Sequence, residues 1–364
     1  MINLPFRSIL LCFIVIILIT ISWAILFSAS GGDYEIWANK QLYAGIIALL
    51  LALCIALTPI QYLYYSSYYL LGLCIILLIV ADFSGHTAMG AQRWIKVGLI
   101  SIQPSEITKV GVIMALSRIF SSMSSEQIGI SKSLIVPLLI VIIPVILILK
   151  QPNLGTSTII TLISGTIFFV AGVKLWKFAL VIISVLISMP IIWNFMHDYQ
   201  KRRVMIFLNP EQDLLGDGYN IMQSKIAIGS GGLYGKGLLK GSQVQLSFLP
   251  EKHTDFIFTI LAEELGFYGV IVLLILYLMM LFIIYLIAIA AKNIYSKLLC
   301  VGVASLIFFH LFINLGMISG LLPVVGTPLS FLSYGRSNLI TTIICIGLVL
   351  NADLQKKKLL KYLL

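Results

Sequence analysis

The chain has 364 residues, of which 60% are hydrophobic and 10% charged, and its mean hydropathy is +1.07. Soluble domains carry about 25% charged residues, so this composition excludes a protein that faces water on all sides. The net charge of +10 does not indicate a nucleic-acid partner, because the basic residues are scattered between apolar runs, where membrane topology and an anionic lipid explain them.

Long apolar runs follow one another along the chain and predict helices that cross a membrane. Only α-helices and closed barrels span lipid, and barrel strands alternate apolar with polar residues, which these runs do not. We predict an all-α, polytopic integral membrane protein of about ten transmembrane helices. The predicted spans are 8–30, 42–60, 66–81, 105–121, 133–149, 155–172, 177–196, 264–291, 297–322 and 337–352.

The basic residues at the chain ends and in the short loops predict the orientation. An even number of spans puts both termini on one side, and positive charge marks the cytoplasmic side. Arg7, the loops that hold Lys174 and Lys292, and the lysines between positions 356 and 361 all fall on that side. The first apolar run exceeds the hydrophobic region of a signal peptide, about 7–15 residues, and is interpreted as the first span.

Two long polar segments, 82–104 and 197–254, then lie outside the cell membrane. The second is rich in Gly, Lys and aromatic residues and not in Pro, Ser and Glu, so we expect it to be ordered. No repeat or low-complexity tract divides the chain, so 1–364 is interpreted as one membrane domain. The five cysteines lie in apolar runs without a C-x-x-C spacing, which indicates neither a disulfide framework nor a zinc site.

A short motif at the start of the fourth span carries opposite charges. Pro104 suits a first helical turn, which places Glu106 near the positive end of the helix dipole. Lys109, three residues further on, shares its face. The ordinary interpretation is a helix start with an ion pair. Beside lipid, such a pair must face a protein interior or a wet cavity, which favours a functional role.

The segment 229–241 carries six glycines and two lysines. Its backbone amides could cradle phosphate oxygens, but neither nucleotide-binding glycine motif is present, and a flexible, turn-rich loop explains the pattern equally well. Further basic residues on the predicted outer face oppose the usual bias, which favours a tethered anionic substrate such as a lipid pyrophosphate. They are Lys201, Arg202, Arg203, Lys225, Lys236, Lys240 and Lys252, with Arg93 and Lys96 from the first outer segment.

Asp255 lies where this basic segment meets the membrane. Thr254 is predicted to cap the following helix and Asp255 to occupy its first turn, where an acid favoured by the dipole is the ordinary interpretation. However, His253 flanks Asp255, and Thr259 and Glu263 continue its face at four-residue steps. An ionised carboxylate beside an apolar wall is suited to deprotonate a sugar hydroxyl.

Two other polar stretches, 151–156 and 323–336, each open a predicted span. Both could form re-entrant turns, which are tolerated only where they line protein or water. His310, inside the ninth span, is interpreted as a packed, hydrogen-bonded histidine and not as a ligand.

Several motifs occur in one order and together resemble the SEDS family (shape, elongation, division and sporulation). The resemblance covers nearly the whole chain and is most specific over 218–266, while 241–250 is more similar to the elongation branch than to the division branch. The motifs are Gly90-Ala-Gln-Arg-Trp94, Gln103-Pro-Ser-Glu106 with Lys109, Gln151-Pro-Asn-Leu-Gly-Thr156, the run 218–232, His253-Thr-Asp-Phe-Ile-Phe258, Glu263-Glu-Leu-Gly266 and Phe331-Leu-Ser-Tyr-Gly335.

The resemblance implies a peptidoglycan glycosyltransferase of the bacterial cytoplasmic membrane, which polymerises lipid II into glycan strands at the outer face during cell elongation. It implies that Asp255 is catalytic. With the charged residues above, it suggests a substrate-binding set of Arg93, Glu106, Lys109, Arg203, Lys225, Lys236, His253, Thr254 and Glu263. The implied partners are a class B penicillin-binding protein and the rod-shape machinery. No metal ligand is assigned, and a divalent cation, Mg²⁺ or Mn²⁺, is left open.

Two residues depart from the family pattern. Asn153 stands where the family usually has aspartate, so no charge or metal contact is assigned there, and Arg336 replaces a customary glycine. Two rival functions stay open: a transporter that flips a lipid-linked precursor, and a scaffold that activates its transpeptidase partner. A transporter needs charges through the membrane depth, whereas here they gather at the outer end.

Overall fold

The computed structural model describes residues 5–84, 86–88, 91–97, 100–195, 198–209, 213, 216–242 and 252–355. Over these residues the chain forms thirteen α-helices, one short 3-10 helix (Lys132–Leu134) and a small sheet. The helices are α1 Phe6–Ala29, α2 Ala38–Leu57, α3 Ile60–Ser84, α4 Pro104–Ser121, α5 Ser125–Gly129, α6 Ile135–Lys150, α7 Leu154–Ala171, α8 Leu175–Phe195, α9 Asp198–Leu208, α10 Asp217–Gly231, α11 Ile257–Ala290, α12 Ile294–Ile318 and α13 Arg336–Leu354.

Each predicted span corresponds to one long helix, and the prediction of an all-α, multi-pass membrane protein is confirmed. By length and composition, eight helices in the described residues can cross a membrane: α1, α2, α3, α6 with its preceding 3-10 turn, α7, α11, α12 and α13. The apolar part of α8, Leu175–Ile191, is shorter. The remaining predicted span is α4, which carries three charged residues.

Helix α4 lies inside the bundle. Nearly all its side chains are buried, because α3, α6, α7, α12 and α13 pack around it. Neighbouring helices, and not lipid, therefore surround its charged residues, which is the setting in which charges are tolerated at membrane depth.

Small residues let α2 and α13 approach closely. Ala44, Ala48, Ala52 and Ala56 form a buried stripe at four-residue steps on α2. Gly347 of α13 lies against this stripe, and a Cβ atom there would fall 2.8 Å from the Cα of Ala52. Close backbone packing through small residues is typical of helix pairs in membranes.

Helix α8 has a different environment, because its apolar side chains are exposed around most of its circumference. Leu180, Ile183, Leu186 and Ile187, which span two turns and point in different directions, are each more than half exposed. A helix that is apolar on all sides is stable in hydrocarbon and not in water, so α8 is largely surrounded by lipid.

The two long polar segments contain regular structure. The first forms an antiparallel sheet of β1 His86–Ala88, β2 Ala91–Val97 and β3 Ile100–Ile102, in the order β1-β2-β3, which the sequence analysis did not predict. The second, expected to be ordered, forms α9 and α10 and then glycine-rich turns up to residue 242. Residues 243–251 and 356–364, and the side chain of Lys96, lie outside what the structure describes.

Helix α11 is broken at Gly266, whose backbone angles are φ 65° and ψ −162°. The break divides a stub, 257–265, from the long apolar part of the helix, and the predicted span of 264–291 begins at this break. The backbone of the glycine segment, residues 229–242, contacts the break, because a Cβ atom on Gly266 would overlap the amide nitrogen of Gly235. Glycine is required here both for its positive φ and for this contact.

Candidate active site

The candidate residues gather at one end of the bundle, where α3 and α12 end and where α4, α7, α11 and α13 begin. Between α12 and α13, residues 323–335 form neither helix nor strand, and most of them are buried. A buried irregular backbone must find hydrogen-bond partners elsewhere. The 323–335 segment must therefore take hydrogen-bond partners from the surrounding helices.

Side chains from four helices donate hydrogen bonds to the carbonyl groups of the 323–335 segment. Two donors come from α12, and one each from α1, α2 and α11, so the segment takes its shape from the surrounding bundle. The pairs are Asn314 Nδ2 with Thr327 O at 2.8 Å, His310 Nδ1 with Pro328 O at 2.9 Å, Ser22 Oγ with Leu332 O at 2.8 Å, Gln41 Nε2 with Ser333 O at 2.8 Å, and the Tyr277 hydroxyl with Ser330 O.

Asp255 lies in a turn, residues 252–256, that packs on this segment. Asn314 donates to the Asp255 carbonyl at 2.9 Å, and the Tyr334 amide donates to the His253 carbonyl at 2.9 Å. The Asp255 carboxylate faces Gly326, where a Cβ atom would lie 3.4 Å from Oδ2. Asp255 is half-buried and not enclosed in the core.

The predicted helix start was wrong by two residues. The N-cap of α11 is Phe256, without a side-chain cap, and the helix begins at Ile257. Thr254 is therefore not the cap, and Asp255 precedes the first turn and does not share a helical face with Thr259 and Glu263. The tertiary hydrogen bonds described above hold the turn, so the helix begins without a polar cap.

Aromatic rings surround the neighbour of Asp255. The His253 ring stacks on Trp37, with centroids 4.3 Å apart and planes 4° apart, and its centroid lies 5.8 Å from that of Tyr334. Partial burial lowers the pKa of Lys252, the first residue of the turn. The turn therefore carries an aromatic wall at His253 and a half-buried lysine at its start.

The predicted Glu106–Lys109 pair is confirmed and is deeply buried. Pro104 is the first residue of α4, Lys109 Nζ lies 2.8 Å from Glu106 Oε2, and the residues are only 1% and 3% exposed. Asn338 Nδ2 also donates to Glu106 Oε2 at 3.0 Å, and Lys109 Nζ lies 2.9 Å from His310 Nε2. His310 is, as predicted, a packed and hydrogen-bonded histidine.

Both charged groups are thus connected to the same backbone through one side chain each. His310 connects the Glu106–Lys109 pair to Pro328, and Asn314 connects Asp255 to Thr327, the preceding residue. The structure brings together two groups that lie about 150 positions apart in the sequence. The 323–335 segment is the element that joins them.

Arg93 and Asn153 hold the turn at residues 151–153, next to the 323–335 segment. Arg93 Nε donates to the Gln151 carbonyl at 2.9 Å, and its Nη2 donates to the Pro152 carbonyl. Asn153 is the N-cap of α7 and accepts from the Thr156 amide at 3.3 Å. A Cβ atom on Gly155 would lie 2.7 Å from Thr327 Cγ2. The side-chain oxygen of Asn153 thus caps the start of α7, a role for which Asn and Asp are equally suited.

Glu263 and Lys236 form a second ion pair, which closes the glycine segment onto the α11 stub. Lys236 Nζ lies 2.6 Å from Glu263 Oε1, and the Ser242 amide and hydroxyl donate to the same oxygen at 2.9 and 2.6 Å. Ser28 of α1 donates to Glu264 Oε1 and accepts from the Leu239 amide at 3.0 Å. Glu263, Glu264 and Ser28 are buried.

The amides of the glycine segment are largely used within the protein. Lys236 N and Gly237 N donate to the carbonyls of Glu263 and Glu264 at 3.0 and 2.9 Å, and the Leu239 and Ser242 amides bind the side chains named above. In this arrangement the segment packs on the α11 stub, and these amides do not point outward as an anion cradle would require.

Lys240 is exposed in the glycine segment, and further basic residues lie on α9, α10 and α13. Arg203 is half-buried on α9, which packs against α10. Lys225 of α10 reaches the end of α12, where a Cβ atom on Gly320 would lie 2.6 Å from its Nζ. Arg202 pairs with Asp213 at 2.8 Å, and Arg336 is exposed at the first position of α13. Cations near a helix C-terminus, as at Lys225, are stabilised by the dipole.

No metal site is assigned within the residues that the structure describes. Among those residues, no group of three or more His, Cys, Asp or Glu side chains is placed to hold a metal ion. The donors that shape the site were not predicted from the sequence. Asn314, Asn338, Gln41 and Ser22 are polar residues inside apolar helices, and this isolated polarity is the signal that could have found them.

Comparisons with known proteins agree with this fold. The family model for the cell cycle proteins FtsW, RodA and SpoVE matches residues 2–358. The peptidoglycan glycosyltransferase MrdB of Escherichia coli (strain K12) is 41% identical over 355 residues, which cover 96% of this chain and 94% of that protein. Stage V sporulation protein E of Bacillus subtilis (strain 168) is 34% identical over 363 residues, with 95% and 96% covered.

Two solved structures share the whole fold. One is a chain of a peptidoglycan synthase complex, with a TM-score of 0.85, 29% identity, and 96% and 98% of the two chains covered. The other is the rod shape determining protein RodA of Thermus thermophilus, with a TM-score of 0.72, 28% identity, and 96% and 97% covered. Because one family model and several relatives match nearly its full length, the chain belongs to the FtsW/RodA/SpoVE family of cell cycle proteins, the SEDS family that its motifs resemble.

Proposed function

We propose that this protein is a peptidoglycan glycosyltransferase that polymerises lipid II during cell elongation. The observation that carries the proposal is the half-buried Asp255, held in a turn that is fixed to the 323–335 segment at the end of a membrane bundle. The relative with 41% identity bears this activity in its name. The order of the motifs and the elongation-type run at 241–250 support the same activity.

In the proposed reaction, Asp255 is the general base. It takes the proton from the 4-hydroxyl of the acceptor's GlcNAc, and that oxygen attacks the anomeric carbon of the donor's MurNAc. The bond from this carbon to the diphosphate breaks, undecaprenyl diphosphate leaves, and the configuration at the carbon is inverted. Proton transfer by a positioned carboxylate contributes about 10²–10⁴-fold to such a rate.

Basic residues at the same end of the bundle are proposed to bind the diphosphates of the two substrates. We assign this role to Arg93, Arg203, Lys225 and Lys236, with Glu106, Lys109, His253, Thr254 and Glu263 completing the substrate-binding set. Lys236 is 30% exposed and Arg93 is half-buried, so both retain surface that a ligand can reach. Cationic groups placed where phosphate charge develops stabilise the transition state.

The described residues contain no group of three or more His, Cys, Asp or Glu side chains that could hold a divalent cation by themselves. The turn at 252–256 offers one carboxylate, Asp255, and Mg²⁺ is commonly held by one or two carboxylates together with substrate phosphates. No metal ligand is assigned, and the polymerisation assay is run with and without chelator so that Mg²⁺ and Mn²⁺ dependence is measured.

We propose that the site faces the outside of the bacterial cytoplasmic membrane and that both termini are cytoplasmic. Seven described basic residues lie at the opposite end of the bundle, which is the pattern of a cytoplasmic face: Arg7, Arg118, Lys132, Lys174, Lys177, Lys292 and Lys297. The proposed partners are a class B penicillin-binding protein and the rod-shape machinery. One structural relative is part of a peptidoglycan synthase complex, which supports the first of these partners.

The test uses the purified full-length protein with lipid II and no other glycosyltransferase. We expect glycan strands from the wild type, and polymer formation reduced about 10²–10⁴-fold in Asp255→Asn with lipid II binding retained. Asp33→Asn is the matched control. Asp33 is an exposed acid at the same end of the bundle, with an oxygen that accepts from the Glu35 amide, and this variant is expected to polymerise like the wild type.

The outcomes separate the rival functions. Near wild-type polymerisation by Asp255→Asn would refute the general base. Transfer of lipid II across a liposome bilayer without polymer would favour a flippase. Polymer that forms only when a penicillin-binding protein with its own glycosyltransferase domain is added would favour a scaffold.

A further inference from the structure

Two polar residues on α12 connect the two charged groups of the site. His310 and Asn314 are four residues apart, so they lie on the same face of the helix one turn apart. Both are fully buried, with exposures of 1% and 0%. Neither belongs to the charged set that the proposed reaction uses, and a buried polar side chain inside a membrane helix requires a physical reason.

The side-chain amide of Asn314 forms two hydrogen bonds that meet different elements. Its Nδ2 donates to the carbonyl of Asp255 at 2.9 Å and to the carbonyl of Thr327 at 2.8 Å. Because both neighbours are carbonyl oxygens, which only accept, the NH₂ group and not the amide oxygen must face them. One side chain therefore fixes the turn at 252–256 to the 323–335 segment.

The ring of His310 is fixed in one tautomer by its two partners. Lys109 Nζ lies 2.9 Å from Nε2, and an ammonium group can only donate, so Nε2 accepts. Nδ1 then carries the ring proton and donates to the Pro328 carbonyl at 2.9 Å. His310 thus connects the Glu106–Lys109 pair to the residue that follows Thr327.

We infer that Asn314 and His310 are positioning residues for glycosyl transfer, which hold the Asp255 turn, carbonyls 327 and 328 and the Glu106–Lys109 pair in one fixed geometry. This inference rests on the proposed function. A general base works only within hydrogen-bond reach of its proton, and a displacement of about 1 Å can lower a rate on the order of 100-fold. Removing the Asn314 bonds leaves the Asp255 carboxylate present but takes away one of the hydrogen bonds that hold its turn on the 323–335 segment.

The test compares Asn314→Leu with Asn351→Leu. Leucine has nearly the shape of asparagine and no donor. Asn351 is the matched control, because it is equally buried on α13 and its Nδ2 donates to three carbonyls at the opposite end of the bundle: Ile55 at 2.9 Å, Ala56 at 3.1 Å and Thr58 at 2.6 Å. Both variants lose buried hydrogen bonds, but only one of them touches the site.

We expect both variants to lower the thermal midpoint, because each leaves buried carbonyls unpaired. Only Asn314→Leu is expected to lower kcat for polymerisation, by roughly 10–100-fold, with KM for lipid II unchanged. Full kcat in Asn314→Leu, or an equal loss in Asn351→Leu, would overturn the inference. If Asn314→Leu does not fold, Asn314→Ala removes the same donor with a smaller side chain, and a wild-type kcat in this variant would overturn the inference equally.

The two contacts of His310, with Lys109 and with the Pro328 carbonyl, can be tested separately. In His310→Asn, the side-chain NH₂ replaces Nδ1 and can still donate to Pro328 O, while in His310→Gln the amide oxygen replaces Nε2 and can still accept from Lys109. Lys109 keeps its ion pair with Glu106 in either variant. We therefore expect the kcat of His310→Asn to be higher than the kcat of His310→Gln. The reverse order would contradict a positioning role through the 323–335 segment.

Failure of this inference differs from failure of the proposed function. The wild type and Asp255→Asn are assayed in parallel, and absence of polymer from the wild type would count against the function itself. The link between Asn314 and the 252–256 turn is measured without an activity assay, by hydrogen exchange of the backbone amides at 252–256. Exchange there is expected to be faster in Asn314→Leu than in Asn351→Leu, and equal rates would overturn the proposed link.

Discussion

Glu106 and Lys109 are a pair of opposite charges in the interior of the bundle, where each charge is tolerated because the other lies beside it. The two charges lie 2.8 Å apart and are almost completely removed from solvent. Burying an ion pair brings little net stability, because desolvation offsets the attraction, whereas removing one partner leaves an uncompensated buried charge. Asn338 and His310 satisfy the remaining hydrogen-bonding capacity on either side, so each charge depends on a specific set of neighbours.

We expect Glu106→Gln and Lys109→Met each to lower the free energy of unfolding by about 3–5 kcal/mol, since each leaves one buried charge without its counter-ion. The double variant should be more stable than either single variant, because no charge is left. Thermal or denaturant unfolding of the full chain in detergent measures all three.

The Arg202–Asp213 pair supplies the control for this experiment. It has the same 2.8 Å separation, but the Arg202 side chain is 68% exposed. Arg202→Met should therefore change the free energy of unfolding by no more than about 1 kcal/mol. If the losses of the two buried single variants simply add in the double variant, the coupling between Glu106 and Lys109 is refuted.

At the scale of elements, the break in α11 and the glycine segment form one unit. Gly235 and Gly266 both have positive φ, 79° and 65°, and their backbones are in direct contact. A Cβ atom on Gly235 would overlap the carbonyl of Glu264. The stub that follows Asp255 is thus held between the 323–335 segment and the glycine segment.

Gly235→Ala should therefore lower the free energy of unfolding by more than the ~1–2 kcal/mol expected from a left-handed backbone alone. Gly229→Ala is the matched control, since Gly229 lies in α10 with no described atom within 4 Å of its Cβ position. Alanine is favoured over glycine in a helix by about 1 kcal/mol, so this variant should be neutral or slightly stabilising. Unfolding and limited proteolysis of residues 229–242 measure both, and equal effects of the two variants would refute the contact.

The elements differ in how far their sequence predicts them. The spans follow from long apolar runs, and the Glu106–Lys109 pair follows from three-residue spacing, because both depend on local sequence. The donors to the 323–335 segment do not, since Ser22 and Gln41 lie 310 and 292 positions from their partners. The start of α11 was misplaced for the same reason: distant hydrogen bonds and not a polar cap determine where that helix begins.

For the whole molecule, the distribution of charge predicts its orientation in the membrane. Lys240 is exposed in the glycine segment at the site end, and Lys292 is exposed in the short turn between α11 and α12 at the opposite end. The five native cysteines are free and lie within predicted spans, so new cysteines at these two positions can be distinguished from the native background.

We expect Lys240→Cys to react with a membrane-impermeant maleimide added to intact cells, and Lys292→Cys to react only after the membrane is permeabilised. The unsubstituted protein is the control and should remain unlabelled by the impermeant reagent. The opposite pattern would place the site on the cytoplasmic side, where it could not extend a strand of the external cell wall.

The dependence of the 323–335 segment on donors from α1, α2, α11 and α12 also determines when the site comes into existence. At synthesis rates of about 5–20 residues per second, Ser22 emerges from the ribosome roughly fifteen seconds or more before Leu332, its hydrogen-bond acceptor. Until then Asp255, Glu106 and Lys109 have been made but have no common scaffold. A nascent chain that stops before residue 323 therefore carries every proposed reactive group but lacks the segment that joins them, and we expect it to form no polymer.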